Sequence, residues 1–82
     1  MWLKVHDTLL DHRKLRRTCR ILQIDGVSLR GHLVTLWLNV LRHSPDGDLD
    51  DWSEDDIEHY AEWAGKPGIF VSSLIETAWI DI

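Results

Sequence analysis

The chain has 82 residues, of which 44% are hydrophobic and 28% charged, and its formal net charge is -5. A chain of this size builds one folded domain with a modest core, and it is too short for a catalytic domain with a separate substrate lobe. The single cysteine excludes an internal disulfide framework and a cysteine-based zinc site, and the longest apolar run, residues 33–41, is too short to cross a bilayer.

Charge is divided unevenly along the chain. Residues 1–42 contain eight lysines and arginines against three aspartates, a formal charge of +5, whereas residues 43–82 contain one lysine against eleven acids, a formal charge of -10. Such a dipolar molecule can present a basic face to an anionic partner although it is acidic overall. Because no apolar signal segment opens the sequence, we expect a cytoplasmic protein without a membrane partner.

The basic half begins with a predicted strand and a predicted helix. WLKVH, residues 2–6, alternates apolar and polar side chains and indicates a short strand. Residues 11–23 follow a helical period, with Asp11 as the cap and with Leu15 and Leu22 facing inward. At 100° per residue, the arginines of this helix fall within an arc of about 100° on the opposite side. This arginine stripe consists of Arg13, Arg16, Arg17 and Arg20.

The strongest predicted helix covers residues 29–43 and follows the turn DGVS, with Ser28 as its N-cap. Its apolar positions form a wide face, and such a helix is expected at the centre of the core. These positions are Leu29, Leu33, Leu36, Trp37, Val40 and Leu41, extended by Val34 and Leu38. Pro45 ends the helix, and the turn that follows leads into a very short strand at residues 48–50.

The acidic half predicts two more helices and a closing strand. Ser53 and Asp56 have the spacing of a capping box, which opens a helix to about residue 64, and Pro67 begins a last helix that runs to about residue 78, before the strand WIDI. The inward residues are predicted to be Ile57, Tyr60, Ala61, Ala64, Phe70, Val71, Leu74, Ile75 and Ala78. The outward residues are predicted to be Glu54, Asp55, Asp56, Glu58, Glu62, Ile69, Ser72, Ser73, Glu76 and Thr77.

This order of elements predicts a mainly α fold with a small β-sheet, namely a winged helix-turn-helix with about four helices and two or three short strands. Residues 1–82 form one domain in this interpretation. Because a complete wing needs a second strand after WIDI, we expect the chain to be the amino-terminal fragment of a longer protein.

Three stretches resemble the amino-terminal winged-helix domains of phage and prophage replication initiators or replisome organisers, broadly of the DnaD type. They are WLKVHDTLLDHRKLRRTCRIL, GHLVTLWLNVLRHSPDGDL and FVSSLIETAWIDI, and together they cover most of the chain. The resemblance implies a module that helps to place replication proteins on DNA, through DNA contact, self-association or both.

The usual recognition helix of this fold corresponds to residues 67–78, and its predicted outward side lacks the Arg, Asn or Gln needed for bidentate base readout. The arginine stripe allows three interpretations: a solvated helix face, a ridge that contacts phosphates, or a surface that docks on an acidic protein. The candidate nucleic-acid-binding residues are Arg13, Lys14, Arg16, Arg17, Arg20 and Arg30. The alternative function is a protein-interaction or oligomerisation domain, or a fragment of a transcriptional regulator, without direct DNA contact.

Other chemistry is not favoured by the sequence. The acidic run DGDLDD lacks the glycine and glutamate of a calcium loop, and no two histidines have the spacing of paired zinc ligands. No catalytic triad, phosphate-binding glycine loop or paired-carboxylate site is recognisable, so we expect neither an enzyme nor a cofactor, metal or small-molecule substrate. Among the five tryptophans, Trp37 is predicted to lie in the core, and Trp52 and Trp63 are candidates for contact with a partner protein.

Overall fold

The computed structural model describes residues 1–3 and 12–81. Within these residues the chain forms four helices and two short strands, and the predicted fold class, mainly helical with a small β-sheet, is confirmed. The elements are β1 (Trp2–Leu3), α1 (His12–Leu22), α2 (Gly26–His43), α3 (Glu54–Tyr60), α4 (Ile69–Glu76) and β2 (Ile80–Asp81). The predicted continuation of the first strand to His6, the predicted cap at Asp11 and the end of the closing strand at Ile82 lie outside the described residues.

The small sheet joins the two ends of the described chain. β1 pairs with β2 in antiparallel register, with Trp2 opposite Asp81, and Trp2 also forms a single antiparallel bridge with Asp48. The strand predicted at residues 48–50 is therefore reduced to one bridge. Gly47 makes the preceding turn with a φ of 83°, a left-handed conformation that favours glycine.

Helix α2 is the longest element and begins earlier than predicted. Asp25 adopts the extended N-cap conformation, and its carbonyl accepts the first helical hydrogen bond from Leu29 at 3.1 Å, so Ser28 lies inside the first turn and is not the cap. The helix ends at His43, as predicted. The four fully buried side chains of α2 lie on one stripe: Leu29, Leu33, Leu36 and Val40.

The buried face of α2 is narrower than predicted. Trp37, which was predicted to lie in the core, is exposed, as are three further residues of the predicted apolar face. The reason is that α1 packs along one side of α2 and α3 along another, and the described residues leave the remaining arc uncovered. The three further residues are Val34, Leu38 and Leu41.

Helices α3 and α4 stand where the helix-turn-helix was predicted, but both are shorter. The predicted capping box is present: the Ser53 hydroxyl accepts from the Asp56 amide at 3.0 Å, and the Asp56 carboxylate accepts from the Ser53 amide at 2.9 Å. α3 ends at Tyr60 and α4 at Glu76, and the chain soon turns through left-handed residues, Glu62 and Ala78. Two predicted inward residues, Ala64 and Ala78, therefore lie outside the helices and are exposed.

Three of the residues predicted to face outward are buried: Glu58, Ser73 and Thr77. The two hydroxyl groups find acceptors within their own helix region, because Ser73 donates to the Phe70 carbonyl at 2.7 Å and Thr77 donates to the Ser73 carbonyl at 2.8 Å. A hydroxyl that is satisfied by a nearby backbone carbonyl can be buried at little cost.

Candidate nucleic-acid interface

The arginine stripe lies on the solvent side of α1, as the helical period predicts. Arg13, Arg16, Arg17 and Arg20 are exposed, while the opposite side of the helix buries Leu15, Thr18 and Leu22. Among the described residues, no acid lies within ion-pair distance of Arg16, Arg17 or Arg20. At least these three guanidinium groups are therefore available to an anionic partner.

Lys14 is held by the domain itself. Its Nζ donates to the Ala78 carbonyl at 2.9 Å and stands 4.3 Å from the ring centre of Trp79. A cation over an indole ring is attracted by the negative face of the ring. Lys14 thus joins α1 to the segment between α4 and β2, on the flank of the stripe.

Arg30 belongs to α2 and lies at the boundary with α1. Its guanidinium and the Leu15 side chain each lie 3.8 Å from the position that a Cβ on Gly26 would take, and its Nε is buried without a hydrogen-bond partner among the described residues. The residue is half-buried. Arg30 therefore sits beside the arginine stripe and does not extend the row of exposed arginines on α1.

Cys19 is half-buried against the core and lies close enough to Arg30 for the two groups to interact electrostatically. Burial raises the pKa of this thiol above its ordinary value of 9.0, the carboxylate of Asp25 raises it further, and the positive charge of Arg30 partly offsets both effects. A thiol of this kind is mostly protonated at neutral pH, and the thiolate is the reactive form.

We expect Cys19 to react with iodoacetamide several-fold more slowly in the folded protein than in the urea-unfolded chain at pH 8, because the raised pKa and partial burial both suppress the thiolate. Asp25→Asn keeps a good N-cap residue but removes a charge that raises the pKa, so it should accelerate labelling. Asp55→Asn on α3 is the matched control and should leave the rate unchanged. Equal rates in the folded and unfolded chains would contradict this prediction.

A buried polar network fixes the orientation of α1. Trp79 donates from Nε1 to the Thr18 hydroxyl oxygen at 2.9 Å. The Thr18 hydroxyl lies 2.8 Å from the Lys14 carbonyl and 3.0 Å from the Thr77 hydroxyl, which itself donates to the Ser73 carbonyl. The network therefore connects α1 to α4 and to the residue before β2. It fixes the rotation of α1 about its own axis, so that the arginine stripe faces solvent.

The start of α4 is capped by a carboxylate from α3. Gly68 is the N-cap residue and has no side chain to accept from the first turn. The carboxylate of Glu58 does so instead: one oxygen accepts from the Gly68 amide at 2.9 Å, and the other accepts from Phe70 and Val71 at 3.1 and 3.2 Å. This explains why Glu58 is buried although it was predicted to face solvent. It also neutralises the positive end of the α4 dipole inside the domain.

The exposed surface of α4 offers little to a nucleic acid. Its exposed residues are Ser72 and Glu76, and the Ser72 hydroxyl lies 3.1 Å from the Ile69 carbonyl. The amides at the helix start already bind Glu58 and are not open to a phosphate. The usual recognition helix of the fold therefore provides no basic contact surface.

The two tryptophans proposed for protein contact are half-buried. Trp52 packs against the core and lies 5.1 Å, centre to centre, from the Tyr60 ring. Trp63 stacks on Phe70 at 5.3 Å and donates from Nε1 to the Lys66 carbonyl at 3.0 Å. Each ring presents only part of its surface to solvent, and the more exposed tryptophans are Trp2 and Trp37.

The acidic run DGDLDD is organised by its own backbone. The Asp46 carboxylate accepts from the Asp48 amide at 3.2 Å, and the Asp48 carboxylate accepts from the Asp50 amide at 3.0 Å. In the part of the chain that the structure describes, no group of three or more His, Cys, Asp or Glu side chains is placed to hold a metal ion. Of the described helices, none is both long and apolar enough to cross a membrane.

The residues that the sequence did not reveal are Glu58 and the Thr18, Thr77 and Trp79 network. One signal for Glu58 was present, because a helix that begins after a glycine needs its capping acceptor from another part of the chain. Comparison with protein-family models, curated proteins and solved structures gave no match. The resemblance to phage replication initiators therefore stays a prediction that rests on the three sequence stretches.

Proposed function

We propose that this domain binds nucleic acid through phosphate contacts from the arginine stripe of α1, and that it serves as a DNA-binding and assembly module of a replication-initiation protein. The observation that supports the proposal is the exposed, one-sided row of arginines, three of which have no ion pair among the described residues. A face that only maintained solubility would usually mix both signs of charge.

The dimensions of the stripe suit a phosphate backbone. Arg13 and Arg20 are seven residues apart, which corresponds to about 10 Å along the helix axis. Successive phosphates of one DNA strand advance by about 3.4 Å along the duplex axis, so the stripe can meet three or four phosphates. Contacts of this kind fix position and affinity without reading sequence, and α4 exposes no Arg, Asn or Gln for bidentate base readout. The proposed binding is therefore nonspecific.

The test is a titration of a fluorescent 25-base-pair duplex at several salt concentrations between about 25 and 200 mM. The triple variant Arg16→Ala, Arg17→Ala and Arg20→Ala should lose about tenfold or more in affinity at low salt. The slope of log K against log salt should become shallower by about 3, since each lost phosphate contact removes about 0.9. Adding Arg13→Ala should flatten the slope further.

Lys66→Ala is the matched control, because Lys66 is an exposed cation immediately before α4. It should leave the salt slope unchanged, while Arg17→Ala alone should reduce it by about 0.9. Far-UV circular dichroism should be the same for all variants, since the substituted side chains are exposed. An unchanged salt slope in the triple variant would overturn the proposal. If Lys66→Ala reduced the slope as much as Arg17→Ala does, the DNA contact would lie at α3 and α4 instead of α1.

A second function, assembly through protein contact, is favoured by a different observation. Helix α2 exposes four large apolar side chains besides Val27, and a cluster of exposed apolar side chains is typical of an interaction site. Such a surface is compatible with DNA binding through α1, because the arginine stripe lies on another helix.

A further inference from the structure

The outward side of α2 carries a regular apolar pattern. Five of its residues follow the alternating spacing of four and three positions that forms the seam of paired helices. We call them the outer seam: Val27, Gly31, Val34, Leu38 and Leu41. The buried stripe of α2, from Leu29 to Val40, has the same spacing and packs inside the domain. The two stripes are about 150° apart around the helix.

The outer seam is open to solvent along four helical turns. Its four apolar side chains are between 36% and 74% exposed, and Trp37, at the edge, is also exposed. Gly31 is exposed too, and in the described part of the chain no atom beyond its own neighbours and helix backbone lies within 4 Å of the position that a Cβ would take. A helix face with a glycine among larger apolar residues allows another helix to approach closely.

We propose that the outer seam binds α2 of a second copy of this chain, with the two helices antiparallel and related by a two-fold axis near Val34. In this arrangement, a residue of one helix lies level with a residue of the other when their two numbers sum to 68. Val27 then lies level with Leu41, and Gly31 lies level with Trp37 of the other copy, next to Leu38. Small residues meet large ones, as close packing of two helices requires.

Charge also selects the antiparallel arrangement. α2 contains no acidic residue, and its last turn carries the exposed Arg42. The two-fold symmetry places Arg42 level with the start of α2 in the second copy. It lies on the same side of the helix pair as Ser28 of that copy. The exposed carboxylate of Asp25 lies at that same helix start. A parallel pair would instead place Arg42 beside Arg42 and align the two helix dipoles.

The available area indicates a weak dimer. Exposed apolar patches of several hundred Å² are at the upper end for a monomer, and a standard interface takes about 800 Å² from each partner. The outer seam lies on a single helix, spans about four turns, and its side chains are only partly exposed. We therefore expect dissociation in the micromolar range, and this inference does not depend on the proposed DNA binding.

The first experiment is sedimentation velocity of the full chain over a range of concentrations. The wild type should form dimers that persist in 1 M NaCl, because the contact is apolar. Leu38→Glu should be monomeric, with an unchanged circular dichroism spectrum and with the Tm that the wild type has below its dissociation concentration, since Leu38 is more than half exposed. Ser72→Glu on α4 adds the same charge outside the seam and should still dimerise. A dimer that dissociates in 1 M NaCl, or one that survives Leu38→Glu, would overturn the proposal.

The second experiment tests the register, in a Cys19→Ser background. Val34→Cys should form a disulfide-linked dimer under mild oxidation, because the two residues face each other across the axis. Arg42→Cys should not, because the two copies of residue 42 are about 24 Å apart in this arrangement. Crosslinking of Arg42→Cys would indicate a parallel pair and overturn the antiparallel model.

A monomeric wild type would also overturn the proposal. The Tm of Leu38→Glu, compared with that of the wild type, would then show what covers the outer seam instead. A lowered Tm would assign the seam to another segment of the same chain. An unchanged Tm would leave the seam to a different protein.

Discussion

Replacing Trp79 by alanine is expected to lower the free energy of unfolding by about 3–5 kcal/mol, which is a large part of the total stability of a domain of this size. Trp79 is completely buried and is the largest side chain of the core. The substitution removes its packing, leaves a cavity and deprives the Thr18 hydroxyl of a donor. Urea denaturation followed by circular dichroism measures the loss.

Two further variants separate the packing of Trp79 from its hydrogen bond. Trp79→Phe removes the indole donor but keeps an aromatic ring, and Thr18→Val leaves the indole N–H buried without this acceptor, which costs about 1–3 kcal/mol. The double variant should lose less than the sum of the two, because the same hydrogen bond is removed in both. Trp2→Ala, at an exposed tryptophan, is the control and should cost less than Trp79→Ala. Equal losses for Trp2→Ala and Trp79→Ala would contradict the assigned role.

The second large effect is expected for Glu58→Ala, which should lower the free energy of unfolding by about 2–3 kcal/mol. Its carboxylate accepts three backbone hydrogen bonds at the start of α4, and removal of a charged acceptor leaves buried donors without a partner. Glu58→Gln keeps one carbonyl oxygen and should lose about half as much. Asp55→Ala, an exposed acid on the same helix, should change stability by only a few tenths of a kcal/mol.

Hydrogen exchange locates the effect of Glu58→Ala within the fold. The amides of Phe70 and Val71 should lose protection more than those of α2, because the damage begins at the first turn of α4. If Glu58→Ala were as stable as Asp55→Ala, the capping role would be wrong. Loss of protection throughout the domain, with none concentrated at α4, would also contradict it.

The helical periods predicted much of this fold because periodicity is a local property. The inward residues Leu15, Leu33 and Leu74 are buried as expected, and the arginine stripe is exposed on one side of α1. The capping box at Ser53 was predicted for the same reason, since both of its partners lie within one turn. Local patterns of this kind do not depend on which elements later become neighbours.

The predictions that were wrong depend on tertiary neighbours. Trp37 has the same hydrophobicity wherever it is placed, and only the positions of α1 and α3 decide that it is exposed. Glu58 and Ser73 are polar and were therefore predicted to face solvent, but hydrogen bonds within the fold make their burial possible. Lys14 contacts the Trp79 ring, which the sequence did not reveal, while its part in nucleic-acid binding stays a prediction.

The network around Thr18 has a consequence for the thermodynamics of ligand binding. Because Thr18, Thr77 and Trp79 hold α1 against the rest of the fold, its exposed arginines project from a backbone that is already ordered. Binding to a polyanion would then immobilise side chains only, and no segment would have to fold. We expect a small heat-capacity change and an affinity governed by release of counterions, in contrast to basic segments that fold on their target.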